Sequence, residues 1–253
     1  MTDRFTGKTV LVTGAGRGIG RTTALAFARG GASVVVAGRS IEPVTETAKL
    51  IEADGGRATA LAADVTRSAD IARLVAQTTA AYGRLDIAVN NAGILTAAGP
   101  VGDVAEDQWS QLVAVNLSGV LLCMKHEIAQ MRRNGGGVII NVSSVLGAHL
   151  RLSGLGAYIA TKAAVSALTR NAALDHIREG IRINAVSPGP ADTPMSYRPG
   201  ETRGDRDARM QNQLPAGRVA TLDEIAAAVL YLASPEAGFI VGTDLVVDGG
   251  AAA

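Results

Sequence analysis

Seven short runs rich in branched aliphatic residues recur along the 253-residue chain, and most are followed by a longer segment with the period of a helix. The runs are KTVLVTG (8–14), SVVVA (33–37), RATALAAD (57–64), RLDIAVNNAG (84–93), GVIINVSS (137–144), IRINAVSPG (181–189) and DLVVDGG (244–250). Helical patterns are read over 19–31, 41–54, 67–82, 107–133 and 157–179, and the stretch after IRINAVSPG reads as irregular. Apolar strands that alternate with helices imply parallel pairing, with both faces of the sheet covered. One α/β domain spanning 1–253 is expected, a doubly wound sheet of about seven parallel strands. Such a sheet places ligands beyond the carboxyl ends of its strands, near the switch in strand order.

Composition narrows the partners. Lys and Arg number 24 against 23 Asp and Glu, so no charge excess argues for nucleic acid or an anionic membrane. The N-terminal MTDRFTGKTV has no apolar signal region, and no apolar stretch is read as reaching the about 18 residues of a membrane span, so the cytoplasm is expected. Cys123, the one cysteine, lies in the apolar run GVLLCMK and reads as a core thiol. His126 and His176 fall in helical patterns, and His149 reads as loop filler that could also touch substrate. No grouping of His, Cys and carboxylates has zinc-ligand spacing, so no metal is predicted.

The loop TGAGRGIG (13–20) departs from G-x-G-x-x-G, because position 19 is Ile and the glycines stand at 14, 16, 18 and 20. The physics is unchanged: glycine lets a backbone approach a pyrophosphate, and the helix that follows offers unpaired N–H groups. Alone the loop would serve equally as a structural turn. Downstream, Tyr158 and Lys162 stand four residues apart and share one helix face. A phenol of pKa ~10 is a poor base at neutral pH. An ammonium ~4 Å away could lower it by up to ~3 units, which suits proton transfer near pH 7.

TGxxxGxG after the first strand, NNAG (90–93) after the fourth and YIATK (158–162), together with AAD (62–64), Asn116, NVSS (141–144), SPG (187–189) and the terminal VVDGG, resemble the short-chain dehydrogenase/reductase family in order and spacing over nearly the whole chain. The resemblance implies a Rossmann-like fold with Asn116, Ser144, Tyr158 and Lys162 as the catalytic set. Tyr158 would protonate the carbonyl oxygen, Lys162 would lower its pKa and hold the nicotinamide ribose, Ser144 would bind the substrate oxygen, and Asn116 would anchor a water. Ser143 is also available; Ser144 is chosen because SSVLG aligns on its second serine, fourteen residues before Tyr158. Gly14, Arg17, Gly18, Ile19 and Gly20 would hold the pyrophosphate side of the cofactor, Asp64 and Val65 would flank the adenine, and Asn91, Ala92 and Gly93 would back it. Pro188, Gly189, Ala191 and Thr193 would form the turn beneath the nicotinamide, with Ala191 where the family often has a larger β-branched residue.

At the end of the second strand, NAD-using members place an acid that binds the ribose 2′-OH. Here Gly38 stands in that place, followed by Arg39, and Arg17 can approach from the glycine loop. NADP(H) is therefore expected in preference to NAD(H). Residues 195–217, polar and carrying four arginines, read as a solvated loop or a substrate lid. The leading reading is an oxidoreductase acting on a small-molecule ketone or secondary alcohol, with a 3-oxoacyl carrier-protein reductase-like role in the same class. An NAD-dependent enzyme of the family, a non-catalytic nucleotide-binding regulator and a structural subunit are the alternatives. The resemblance further implies a homotetramer built through the two long helices and the C-terminal strand region.

Overall fold

The computed structural model describes residues 4–253. Seven strands form one parallel sheet: β1 (Thr9–Thr13), β2 (Ser33–Gly38), β3 (Arg57–Ala62), β4 (Ile87–Asn90), β5 (Gly137–Val142), β6 (Ile181–Pro188) and β7 (Asp244–Val247), in the order β3-β2-β1-β4-β5-β6-β7. Order reverses between β1 and β4, whose register runs Val10 to Ile87 and Val12 to Val89. A crevice opens there, between the loops that leave the two strands.

Alternation along the strands sorts the helices into two layers. Val10, Val12, Val34 and Val36 point to the face covered by α1 (Gly18–Arg29), α2 (Ile41–Ala53) and a helix at Leu222–Ala233. Leu11, Val35, Ala88 and Ile139 point to the other face, covered by α3 (Ser68–Tyr82), a helix at Gly119–Asn134 and another at Gly156–His176. In chain order the later helices are α4 (Glu106–Val113), α5 (Gly119–Asn134), α6 (Gly156–His176), α7 (Arg203–Gln213) and α8 (Leu222–Ala233). Cys123 is buried in the second core, as a structural thiol should be.

Three features differ from the sequence reading. Residues 195–217 are not simply irregular: α7 occupies their centre, started by a capping box in which Thr202 and Asp205 satisfy each other's backbone N–H groups. The same device, Thr221 with Glu224, starts α8, which the sequence reading passed over although an apolar run follows it. The long helix expected over 107–133 is α4 and α5 joined by a π-helical turn at Ala114–Ser118. Its whole span, Glu106–Asn134, contains an 18-residue window of mean hydropathy 1.4, long and apolar enough to cross a membrane by composition. That corrects the expectation that no stretch reaches span length. Val120, Met124, Ile128 and Met131 spend much of this apolarity on the sheet.

Candidate active site

The loop from β1 into α1 is built around side chains that glycine alone tolerates. A Cβ on Gly20 would lie 2.4 Å from both the Asn91 amide nitrogen and the Gly14 carbonyl oxygen. On Gly14, whose φ is +65°, it would lie 2.9 Å from Ala92 Cα. Asn91 occupies the space so released, its Nδ2 donating to the carbonyls of Thr13 and Gly14 at 3.0 and 3.2 Å. Ala92 N–H is bound by Thr13 Oγ1, so NNAG and the glycine loop form one wall of the crevice. Helix α1 starts at Gly18 with no capping side chain and no acid in its first turn. Its first N–H groups and the positive end of its dipole are therefore free for an anion. This cradle fits a dinucleotide pyrophosphate.

Two supports of the loop were not anticipated. Arg21 donates to the Gly16 carbonyl (2.6 Å), to Thr47 Oγ1 (3.1 Å) and to both oxygens of Glu46. Thr47 Oγ1 in turn donates to the Ala15 carbonyl at 2.9 Å. A Cβ on Gly16 would meet Pro43 at 2.8 Å, so the first turn of α2 rests on the loop. Arg39 and Arg17 thereby come to the same end of the crevice. Both are exposed, and among the described residues neither has a side-chain hydrogen bond or ion pair. The signal for Arg21 and Thr47 is only their place on facing helix sides, visible once α1 and α2 are known to pack.

On the far wall, the Val65 Cγ2 atom would lie 2.9 Å from a Cβ on Gly119, a close approach that explains this glycine in the first turn of α5. Asp64 Oδ1 accepts from Thr66 N–H and Oγ1 at 3.0 and 2.8 Å, closing the turn after β3. Ile19 packs on the first core. Beyond β6, Gly189 N–H donates to the Val247 carbonyl, and a Cβ there would lie 2.6 Å from Asp248 Cα. Ala191 is buried and pairs with Ala220. The small side chain is thus accommodated by direct backbone packing. Thr193 follows, its Cγ2 3.5 Å from where Gly18 would carry a Cβ, so this turn closes over the glycine loop.

Tyr158 and Lys162 lie in the first turns of α6, and Ser144 lies just beyond β5. The two neighbouring serines have different tasks. Ser143 Oγ turns to α6, donating to the Lys162 carbonyl and sharing a hydrogen bond with Ser166 Oγ, both at 2.9 Å. Ser144 faces Tyr158, and its hydroxyl draws the phenol's pKa down. Burial acts the other way and dominates, so the phenol is raised above its ordinary value. Lys162 Nζ lies 5.9 Å from the Tyr158 ring centroid and donates to the Val142 carbonyl at 2.9 Å. Burial pushes its ammonium down to about 8. The expected lowering of Tyr158 by Lys162 is not what this geometry provides: burial raises the phenol, and the group that draws it down is Ser144.

Asn116 sits in the π-helical turn, which turns its amide onto residue 94. Its Oδ1 accepts from Ile94 N–H at 2.8 Å and its Nδ2 donates to the Ile94 carbonyl at 2.9 Å. A Cβ on Gly93 would be 3.5 Å from both Asn116 Oδ1 and Lys162 Nζ, so these three residues meet. His149 is held away from a substrate role by Asp244, whose Oδ2 lies 2.9 Å from its Nε2. Asp244 also accepts from Ser166 and Ser187 at 2.6 Å each. His126 bonds Ser68, and His176 lies 3.3 Å from Glu179.

Fold and site define a dinucleotide-binding α/β domain in which a serine, a tyrosine and a lysine meet beside the glycine loop. A family model described as enoyl-(acyl carrier protein) reductase matches residues 14–252, and the chain belongs to the short-chain dehydrogenase/reductase family, whose members use a nicotinamide cofactor to act on alcohols and ketones. It is 41% identical over 249 residues, 96% of this chain and 94% of the relative, to a short-chain dehydrogenase/reductase of Aspergillus oryzae. It is 40% identical over 251 residues, 99% and 98% of the two chains, to cis-4-hydroxycyclohexanecarboxylate dehydrogenase of Sinomonas cyclohexanicum. A solved short-chain dehydrogenase/reductase from Mycobacterium marinum superposes with a TM-score of 0.91 at 34% identity, covering 98% of this chain and 97% of that one.

Proposed function

We propose that this chain is an NADP(H)-dependent oxidoreductase that interconverts a ketone and a secondary alcohol on a small, largely uncharged substrate. The convergence of Ser144, Tyr158 and Lys162 at the glycine cradle carries the reading. A bound nicotinamide supplies or takes up the hydride. Tyr158 moves the proton: raised by burial, its phenol is protonated at neutral pH and can give a proton to a carbonyl oxygen during reduction. Ser144 hydrogen-bonds the same oxygen and stabilises the charge that develops on it. Lys162, 4% exposed, holds the ribose beside Tyr158, and Asn116 fixes the Ile94 segment that walls the site.

Support for NADP(H) comes from Gly38, Arg39 and Arg17. Gly38 presents no acid against a 2′-phosphate, and two arginines without other partners stand at that end of the crevice. Support for an uncharged substrate comes from the lid. Arg206 and Arg209 are engaged by Asp192, Asp207 and Glu201, and little of their charge is left for a carrier or an anion. The cyclohexanol in the name of a 36% identical dehydrogenase of Acinetobacter points the same way, whereas the ring alcohol in the name of the Sinomonas relative supports a cyclic secondary alcohol but carries a carboxylate.

The decisive experiment compares wild type and Arg39→Ala with NADPH and NADH against a panel of cyclic and acyclic ketones. Loss of one charge-assisted bond should raise KM for NADPH by roughly ten- to a hundredfold and leave that for NADH nearly unchanged. Equal effects on both cofactors would contradict the phosphate assignment. Binding of NADPH with no oxidation across the panel would favour the regulator reading.

A further inference from the structure

The lid contains the one fully buried arginine among the described residues. Arg206, in α7, is 1% exposed although the helix around it is polar. Its Nη1 donates to Asp192 Oδ1 at 2.5 Å and to Ser196 Oγ at 3.3 Å. Nε and Nη2 both donate to Asp207 Oδ1, at 2.9 and 2.7 Å. The guanidinium carbon lies 4.6 Å from the centroid of the Tyr197 ring. A single planar fork therefore spans from α7 to the turn that follows β6, a reach a lysine cannot match. Arg209 adds a second tie, to the Ser196 carbonyl at 2.9 Å and to both oxygens of Glu201.

The turn so held carries Thr193. Asp192 is its neighbour in sequence, and Ser196 Oγ donates to the Thr193 carbonyl at 2.8 Å. Arg206 thus reaches Thr193 by two short routes, through Asp192 and through Ser196. Thr193 itself closes on Gly18 of the phosphate loop. Gly200 and Gly217 bracket α7 with φ of +77° and +67°, and a Cβ on either would meet nothing within 4 Å. The helix is therefore joined to the body by two permissive links and fastened by buried charge.

We propose that Arg206 is a positioning residue: it docks α7 onto the Asp192–Ser196 turn, so that closing the lid and seating Thr193 against the nicotinamide end of the cofactor are one event. The proposal rests on the assignment of Thr193 to the nicotinamide site. If α7 lifts, the turn loses the partner that orients Asp192, and cofactor affinity falls with it. Conversely, bound cofactor holds the lid down, because the two equilibria share one free energy.

NADPH binding is measured by fluorescence titration for wild type, Arg206→Lys, Arg206→Met, Asp192→Asn and the double variant. Tryptic cutting after the exposed Arg203 is timed with and without NADPH, and thermal midpoints are recorded. Asp192 is partly exposed, so its variant keeps the fold. Expected are a roughly tenfold weaker Kd for Asp192→Asn and for Arg206→Met, faster cutting that NADPH no longer slows, and near-wild-type midpoints. Arg206→Lys should fall between, and the double variant should be no worse than Arg206→Met, because the two groups act as one unit. Wild-type affinity and protection in Asp192→Asn, or additive effects in the double variant, would overturn the latch. Wild-type protein that binds neither NADPH nor NADH would overturn both the latch and the function on which it rests.

Discussion

Ser143 and Ser144 are adjacent, buried and chemically alike, and their surroundings give them opposite tasks. Ser143 ties β5 to α6 through Lys162 and Ser166, and Ser144 stands over Tyr158. Ser144→Ala should cut kcat by roughly a hundredfold or more, the usual cost of losing one oxyanion donor, with little change in stability. Ser143→Ala should retain most of the turnover and lower stability by about 1 kcal/mol, the net worth of a buried hydrogen bond. Steady-state kinetics and urea unfolding of the two variants separate the roles, and the reverse pattern would exchange them. The sequence offers both serines and favours Ser144 only because SSVLG aligns on its second serine; the different partners of the two hydroxyls appear only in the folded chain. The state of Tyr158 was not legible either, because a helical repeat shows that two side chains are neighbours but not that both are desolvated.

Elements were legible where burial writes a pattern. The seven strands stand out because both faces of a parallel sheet select apolar residues, and the structure finds them within a few residues of their expected limits. Helix α7 was not legible, since it is mostly polar, with Met210 its one large apolar residue, and its seat depends on a buried guanidinium rather than an apolar stripe. The π-helical turn at Asn116 leaves no periodic trace either. Inside the sheet, β4, β5, α5 and α6 are joined by a polar belt equally invisible to hydropathy. Asn90 Nδ2 donates to Glu127 Oε2 and Asn141 Oδ1, both at 3.0 Å, and Asn141 Nδ2 donates to Thr169 Oγ1 at 2.9 Å. Among the described residues, Asn90 Oδ1 and Glu127 Oε1 are left without partners. Burial raises Glu127 from 4.5 to about 7. The folded protein therefore keeps a proton that the unfolded chain has lost, and this stabilisation, complete below the unfolded pKa, fades as pH rises through about 7. Glu127→Gln mimics the protonated acid at every pH and adds an N–H that can serve Asn90 Oδ1. It should match wild type near about pH 4 and exceed it by up to about 3 kcal/mol above about pH 8. Urea midpoints at the two pH values test this, and a pH-independent difference would refute it.

At the scale of the whole molecule, large apolar side chains are exposed on both layers of the sheet. Leu121 on α5 and Leu174 on α6 are 50% and 73% exposed on one layer. On the other side, Tyr231 of α8 is 41% exposed, and Phe239, in the link to β7, is fully exposed. Single exposed apolar side chains are ordinary, but a layer that exposes two large ones offers a surface that association would cover. A patch that pairs with its own copy through a two-fold axis makes a dimer. Two independent patches on one chain, each pairing in this way, make a tetramer of D2 symmetry. We therefore expect a homotetramer, with the α5–α6 surface forming one interface and the α8–β7 surface forming the other. Removing one patch should leave dimers and not monomers, because the second interface survives. Phe239→Asp and Leu174→Asp, examined separately by light scattering coupled to size exclusion, should each give a dimer, and the combined variant a monomer. A wild-type monomer would refute the assembly. Dissociation straight to monomers by Phe239→Asp alone would show that the α5–α6 surface cannot hold a pair by itself.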